Sequence, residues 1–245
     1  MAFSQSAFDD LIDKINEKLK KAGELLDKMV DGVNGFADKW YIPDAVAKPV
    51  IAAANKLVEF VNWVLEKIGE FLKGVIAPVM LFLDSLDWQG TSVRGKASTA
   101  SSTTAKGNLQ APKEWKGEGA DAYTGAIWTQ STAAGQVSTS ADSVASSLLV
   151  AAAAGLAFYG AIGLFLVQFI PALGAAAAAG ATGVGLIPAA IAAIGEGTAG
   201  WVLLTTASVA LVTVLGDQAK TLAEMKGQAG DNSAFPNGHW PIGTA

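Results

Sequence analysis

No charged residue occurs between Ser143 and Gly195, and beyond Glu196 a second uncharged stretch runs from Gly197 to Gly216. Roughly 20 apolar residues span a bilayer core, so this region is long enough for two or three crossings. The strongest candidate spans are Leu148–Leu173 and Ala199–Leu215. The sequence between them, LGAAAAAGATGVGLIPAAIAAIGEG, is rich in Ala and Gly and only weakly lipophilic. Pro171 and Pro188 are expected to break the helix near its turns. The competing reading is a hidden core, because a helix apolar all round is also found buried inside a large soluble protein. Composition weighs against it. Hydrophobic residues make up 51% of the chain and charged ones 16%, against a usual charged share of about 25%. That leaves too little polar chain to cover so large a contiguous block.

The small residues in the block point to how it packs. Gly155, Gly160, Gly163 and Gly174, followed by Gly180, Gly183 and Gly185, let helix backbones meet at short range, which suits a homo-oligomer of transmembrane hairpins. Glu196 is the one carboxylate inside the region. It is costly in hydrocarbon unless it faces water, a partner or a turn. Gly195 and Gly197 beside it favour a turn, and a pore-lining position is the other reading.

The first third has the opposite chemistry. Phe8, Ile12, Ile15, Leu19, Ala22, Leu26, Met29, Val33, Phe36 and Trp40 follow alternating steps of four and three, the seam of a coiled coil. Asp, Glu and Lys fill the positions between. After Pro43 the stripe resumes with Val50, Ala54, Leu57, Val61, Val64, Ile68, Phe71 and Val75, widened by Val58, Leu65 and Leu72. A second helix is predicted from Asp44 to about Leu86, kinked at Pro78. The short connection makes residues 1–87 an antiparallel amphipathic hairpin. Residues 88–114, rich in Ser, Thr and Gly, read as a linker. Residues 115–228 carry a helix beginning near Trp115 and the apolar helices, and 229–245 form a tail. The fold class is therefore all-α: long antiparallel helical hairpins, one of them of transmembrane type.

Several functions are disfavoured. A net charge of −5 supplies no basic field for nucleic acid. There is no Cys, and His239 is the single histidine, so neither a zinc site nor a Ser-His-Asp arrangement can be assembled. No glycine-rich phosphate loop follows a strand. The expectation is a non-enzyme without metal or cofactor. MAFSQSAFDDLIDKINEKLKK lacks the basic, apolar and small-residue pattern of a signal peptide, so export, if it occurs, is expected by another route.

One motif carries family content. WKGEGADAYTGAI places Trp115, Gly117, Ala120 and Tyr123 in a Trp-x-Gly-x-x-Ala-x-x-Tyr arrangement. An indole there can seat between antiparallel helices while Gly permits the bend. This resembles the Trp-x-Gly family of type VII secretion substrates, helical hairpins with the motif at the bend. A second tripeptide, Trp88-Gln89-Gly90, lacks the downstream residues. The resemblance implies secretion and helical pairing. The family's Tyr-x-x-x-Asp/Glu export signal is absent, since Tyr41, Tyr123 and Tyr159 have no acid four residues on. Export would then rest on a helical secretion partner that carries it.

Three functional expectations follow. The first is a secreted protein that inserts in lipid membranes and oligomerises, forming a pore. The second is a secretion adaptor that binds an effector through its hairpin. The third is a resident membrane protein.

Overall fold

The computed structural model describes residues 4–183, 185–228, 230 and 233–243. Residues 1–3 of the N-terminal segment, 184 of the apolar block, and 229, 231, 232, 244 and 245 of the tail lie outside it. Among the described residues there is no β-strand. Seven α-helices follow in order: α1 (Gln5–Ala37), α2 (Asp44–Leu72), α3 (Ala77–Gln89), α4 (Lys96–Thr104), α5 (Ala111–Glu114), α6 (Glu118–Gly180) and α7 (Leu186–Gln228). The chain divides into two compact units, Met1–Ala77 with Ala154–Val212, and Pro78–Ala153 with Thr213–Ala245.

The first unit is a four-helix bundle of α1, α2, the end of α6 and the start of α7. Ser4 caps α1, its hydroxyl accepting from the Ala7 N–H. Phe8, Ile15, Ala22, Met29 and Phe36, spaced by sevens, are buried, with Leu26 and Val33 beside them. This is the predicted seam, with three exceptions. Ile12 and Leu19 are half-buried, and Trp40 lies beyond the helix, almost fully in solvent. In α2, Val50, Ala54, Leu57, Val61, Val64 and Ile68 are buried, while Val58, Leu65 and Leu72 form the half-buried flank. The charged residues Asp9, Asp13, Glu17, Lys21, Glu24, Glu59 and Glu66 all face outward.

Direct contacts set the helix directions. Phe8 meets Tyr159 edge-on at 5.6 Å between ring centres, and Gly180 lies against Met29, so α1 runs parallel to α6. Phe71 meets Phe158, the Tyr159 hydroxyl donates to the Phe71 carbonyl at 2.9 Å, and Phe60 meets Phe169. Hence α2 runs antiparallel to α6. A side chain at Gly197 would strike Phe60 and Phe169, and one at Gly200 would strike Phe165. The α6–α7 pair is therefore the apolar hairpin that the sequence predicts, packed through aromatic rings laid on a bare backbone.

The breaks fall at glycine rather than proline. The helix predicted to continue to Leu86 ends at Leu72, a turn through Gly74 intervenes, and Pro78 lies in the first turn of α3. There its missing N–H costs no helical hydrogen bond. Pro188 sits likewise in the first turn of α7, and Pro171, on an exposed face, is carried inside a continuous α6. The hairpin instead turns at 181–185, where Gly183 has φ +72° and lies against the Phe36 ring.

In the second unit, the stretch read as a linker holds a helix. A π-helical turn, Thr91–Gly95, leads into α4. The Ser101 hydroxyl donates to the Ser131 carbonyl at 2.9 Å and Ser131 returns the bond to Ser101 at 2.8 Å, while Arg94 meets Asp142 at 2.6 Å. These bonds tie α4 antiparallel to the first part of α6. The Asp142 carboxylate raises the Arg94 pKa above its already high ordinary value, through a hydrogen bond and its charge.

The glycine contacts separate two substitutions that the sequence alone treats alike. Gly200→Leu should destabilise the bundle by about 1–3 kcal/mol through overpacking. Gly160→Ala, with open space at that position, should stabilise α6 by about 0.5–1 kcal/mol. Chemical denaturation of both variants checks the contrast, and equal effects would refute the packing described.

Candidate membrane-active surface

Helices α6 and α7 are each long and apolar enough to cross a membrane, with windows of mean hydropathy 2.1 and 1.8. Their surroundings differ. The most apolar stretch of α6 is 44% buried and that of α7 11%; in the first unit α6 packs against α1, α2 and α7, whereas α7 packs against α2 and α6. On the outer side of α7, Ile191, Val202, Leu203, Val209 and Val212 are between 61% and 68% exposed. On α6, Leu164 and Val167 are also exposed. The bundle is thus two-sided, with outer faces on α1 and α2 that are rich in charge, and outer faces on α6 and α7 where Glu196 is the single charged residue among 154–180 and 186–212.

The hydroxyls on α7 do not make that face polar. Thr198, Thr205, Thr206 and Ser208 donate to the carbonyls of Ile194, Trp201, Val202 and Leu204, each four residues back, at 2.7–3.0 Å. Each hydroxyl therefore carries its own acceptor.

Toward the start of both helices, the seam between α2 and α7 is lightly filled at residues 49–56 and 187–194. Pro49, Ala52, Ala53 and Lys56 of α2 and Ile187, Ala190, Ile191 and Ile194 of α7 line an apolar cleft of about 340 Å³. Farther along, Trp201 lies 4.4 Å from Trp63 and 6.3 Å from Phe71, ring centre to ring centre. The outer face of α2 carries the Lys67–Glu70 pair at 2.9 Å. That pair lowers the Glu70 carboxyl and raises the Lys67 ammonium, by hydrogen bond first and charge second. A depressed carboxyl favours the folded state above its unfolded pKa, and that contribution fades as pH falls through the folded value.

The glycines singled out in the sequence fall unevenly. Gly155 is buried. Gly160 faces open space, Gly163 approaches only the end of Leu11 at 3.0 Å, and Gly174 reaches Leu25 at 4.0 Å. None of these three brings backbones together. The close approaches are at Gly180, which lies 3.0 Å from the Met29 carbonyl, at Gly32 against the Ala181 backbone, and at Gly197 and Gly200. Nothing in the sequence marks three of these, Gly32, Gly197 and Gly200, as packing positions. What distinguishes them is their place opposite a large aromatic or a helix end, not their density.

Glu196 is not at a turn. It lies inside α7 on the exposed side; of the flanking glycines, Gly197 packs beneath Phe60 and Phe169 and Gly195 faces open space.

The Trp-x-Gly motif is at a bend, but the indole is not sealed between two helices. Trp115 ends the four-residue α5 and is 48% exposed. Gly117, with φ +107°, turns the chain into α6. The indole folds back over Gly119 and meets Tyr123 at 6.1 Å between ring centres, while Ala120 is buried. The four residues form a start box for α6. His239 and the described tail lie apart from them, with the Gln130 amide donating to the Pro241 carbonyl at 3.1 Å.

Among the described residues no group of three or more His, Cys, Asp or Glu could hold a metal ion. No family model, curated protein or solved structure matches the chain.

A half-exposed indole sets the scale of its removal. Trp115→Ala should destabilise by about 1 kcal/mol, well short of the 3–5 kcal/mol of a core aromatic. Gly117→Ala should cost at least as much, about 1–3 kcal/mol, because its backbone is in a region other residues avoid. Thermal melts of both variants check the order. A larger loss for Trp115 than for Gly117 would mean the indole is buried.

Proposed function

We propose that this protein acts on membranes: α6 and α7 leave α1 and α2, insert as a helical hairpin, and assemble with further copies into a pore. The observation that carries the reading is the outer face of α7, where Ile191, Val202, Leu203, Val209 and Val212 are between 61% and 68% exposed and Glu196 is the one charge before Asp217. Soluble monomers rarely leave so continuous an apolar surface in water, and such patches mark contact with lipid or protein. The charged faces of α1 and α2 keep the other side of the bundle soluble before insertion. The thin α2–α7 seam identifies α7 as the helix with least to lose on release.

Helix length supports the same assignment. Counting from the 181–185 turn, about 20 residues on each arm cross a bilayer core. Glu196 then lies about 15 Å along α7 from Leu186, near the bilayer centre. A carboxylate there must face water or a partner, and in this reading it faces the water of the oligomer's lumen. Export by a type VII-like route belongs to the same reading, supported by the Trp115–Tyr123 motif and its accessible indole, with a helical partner supplying the signal.

The chain has no cysteine, so an engineered disulfide tests the opening step. Met29→Cys with Gly180→Cys joins α1 to α6 where the two backbones already touch. Oxidised, the variant should release no dye from liposomes; reduced, it should regain wild-type release and detergent-stable oligomers. Equal release in both states would refute the opening step, and a wild type that neither binds liposomes nor oligomerises would refute the membrane reading itself. A one-to-one complex with another helical protein in place of liposome binding would establish the adaptor role.

Glu196→Gln should leave dye release intact and reduce the cation preference of single channels in planar bilayers. Unchanged ion selectivity would remove Glu196 from the lumen.

A further inference from the structure

The α1–α2 connection carries the most exposed aromatic pair among the described residues. Trp40 is 95% exposed and Tyr41 58%, and their rings stand edge to face at 5.9 Å. A core residue would have continued the α1 seam inward, and Trp40 occupies the next position of that seam. The chain instead leaves the helix at Ala37, where the Asp38 N–H donates to the Asn34 carbonyl and the Lys39 N–H to the Phe36 carbonyl. Lys39 follows, its ammonium 6.0 Å from the Phe36 ring centre. The indole and phenol are thus held outward by a capped helix end and not by any packing of their own.

The position of this loop gives it meaning. Phe36 also supports Gly183, and Gly32 meets the Ala181 backbone. The α1–α2 loop and the α6–α7 turn therefore lie at the same end of the first unit. The two tips differ in chemistry. The α6–α7 turn belongs to the uncharged run, with no ionic group to stop it entering hydrocarbon. The α1–α2 loop carries Asp38, Lys39 and Asp44, and Lys48 is paired with Asp44 at 3.2 Å. Those charges hold that loop at the level of the headgroups. Trp and Tyr are the side chains that reside there, with an apolar ring toward the acyl chains and an N–H or O–H toward water.

We propose that Trp40 and Tyr41 form the docking tip of the bundle, seating this end in the headgroup layer of a bilayer so that the 181–185 turn is the first part of the hairpin to enter. The inference rests on the membrane reading above and adds to it the site and orientation of first contact. The two acids and two lysines around the loop balance one another, so the partner is the lipid interface itself and not an anionic headgroup. Docking is then indifferent to salt and to lipid charge.

The test is flotation of the full chain with vesicles of phosphatidylcholine alone and with added phosphatidylserine, at low and high salt. Trp40→Ser with Tyr41→Ser should weaken binding roughly tenfold or more on both vesicle types, while circular dichroism stays that of wild type. In a second arm, Asp38→Cys carries an environment-sensitive dye on the otherwise cysteine-free chain. Its emission should shift blue on mixing with vesicles, before any dye release is detected. Wild-type binding by the double variant, or a dye that reports only water, would overturn the docking tip and leave membrane insertion standing. Binding confined to anionic vesicles and abolished by salt would overturn it as well. Failure of the wild-type chain to bind either vesicle would remove both proposals together.

Discussion

Phe60, Phe165 and Phe169 reach the backbone of α7 because positions 197 and 200 carry no side chain. The rest of the first unit follows from that approach. The rings fill the space between α2, α6 and α7, and the glycine face of α7 is thereby used up as its inward side. What remains on α7 is the outward side, formed by Ile191, Val202, Leu203, Val209 and Val212. Two amphipathic helices have only two apolar stripes to offer. Those of α1 and α2 are spent on each other and on α6, with a narrow contact left for α7. The exposed apolar face is therefore a matter of supply: the chain has more apolar helix surface than amphipathic cover.

The sequence made the helices legible to different degrees. The seams of α1 and α2 could be read residue by residue, because in an amphipathic helix burial and hydrophobicity coincide. In α6 and α7 they do not. When every position is apolar or small, periodicity no longer marks a buried face, and the inward side is chosen by shape. That is why Gly160, Gly163 and Gly174, prominent in the sequence, make no backbone contact, whereas Gly197 and Gly200 take aromatic rings directly on the helix. The same ambiguity placed Glu196 at a turn. Two glycines beside a carboxylate suggest a break, but one of them, Gly197, is smooth surface beneath Phe60 and Phe169.

Breaks and short helices are hard to read for a second reason. Proline alone does not mark a break, since at Pro78 and Pro188 it stands where a helix start has no hydrogen bond to lose. The Ser- and Thr-rich stretch around α4 has low intrinsic helix propensity and no apolar stripe, so local pattern argues for a linker. Its order comes from the reciprocal Ser101–Ser131 bonds and the Arg94–Asp142 pair, contacts across some 30 to 50 residues of chain that no local window contains. For the Trp115 motif the sequence located the bend at Gly117 but not the direction of the indole, which turns onto its own helix.

The hydroxyls of Thr198, Thr205, Thr206 and Ser208 are satisfied within α7, and this bears on register. A helix face whose polar groups seek mates across an interface fixes its neighbour's position to within one residue. A face whose hydroxyls are already bonded, set among Ala, Gly and Val, makes no such demand. A neighbouring helix can rotate or slide along it by a small step and find another surface of nearly the same shape. Copies meeting through α7 would accordingly have several closely matched ways to close a ring, and the number of subunits would be set by curvature and crowding rather than by any single contact.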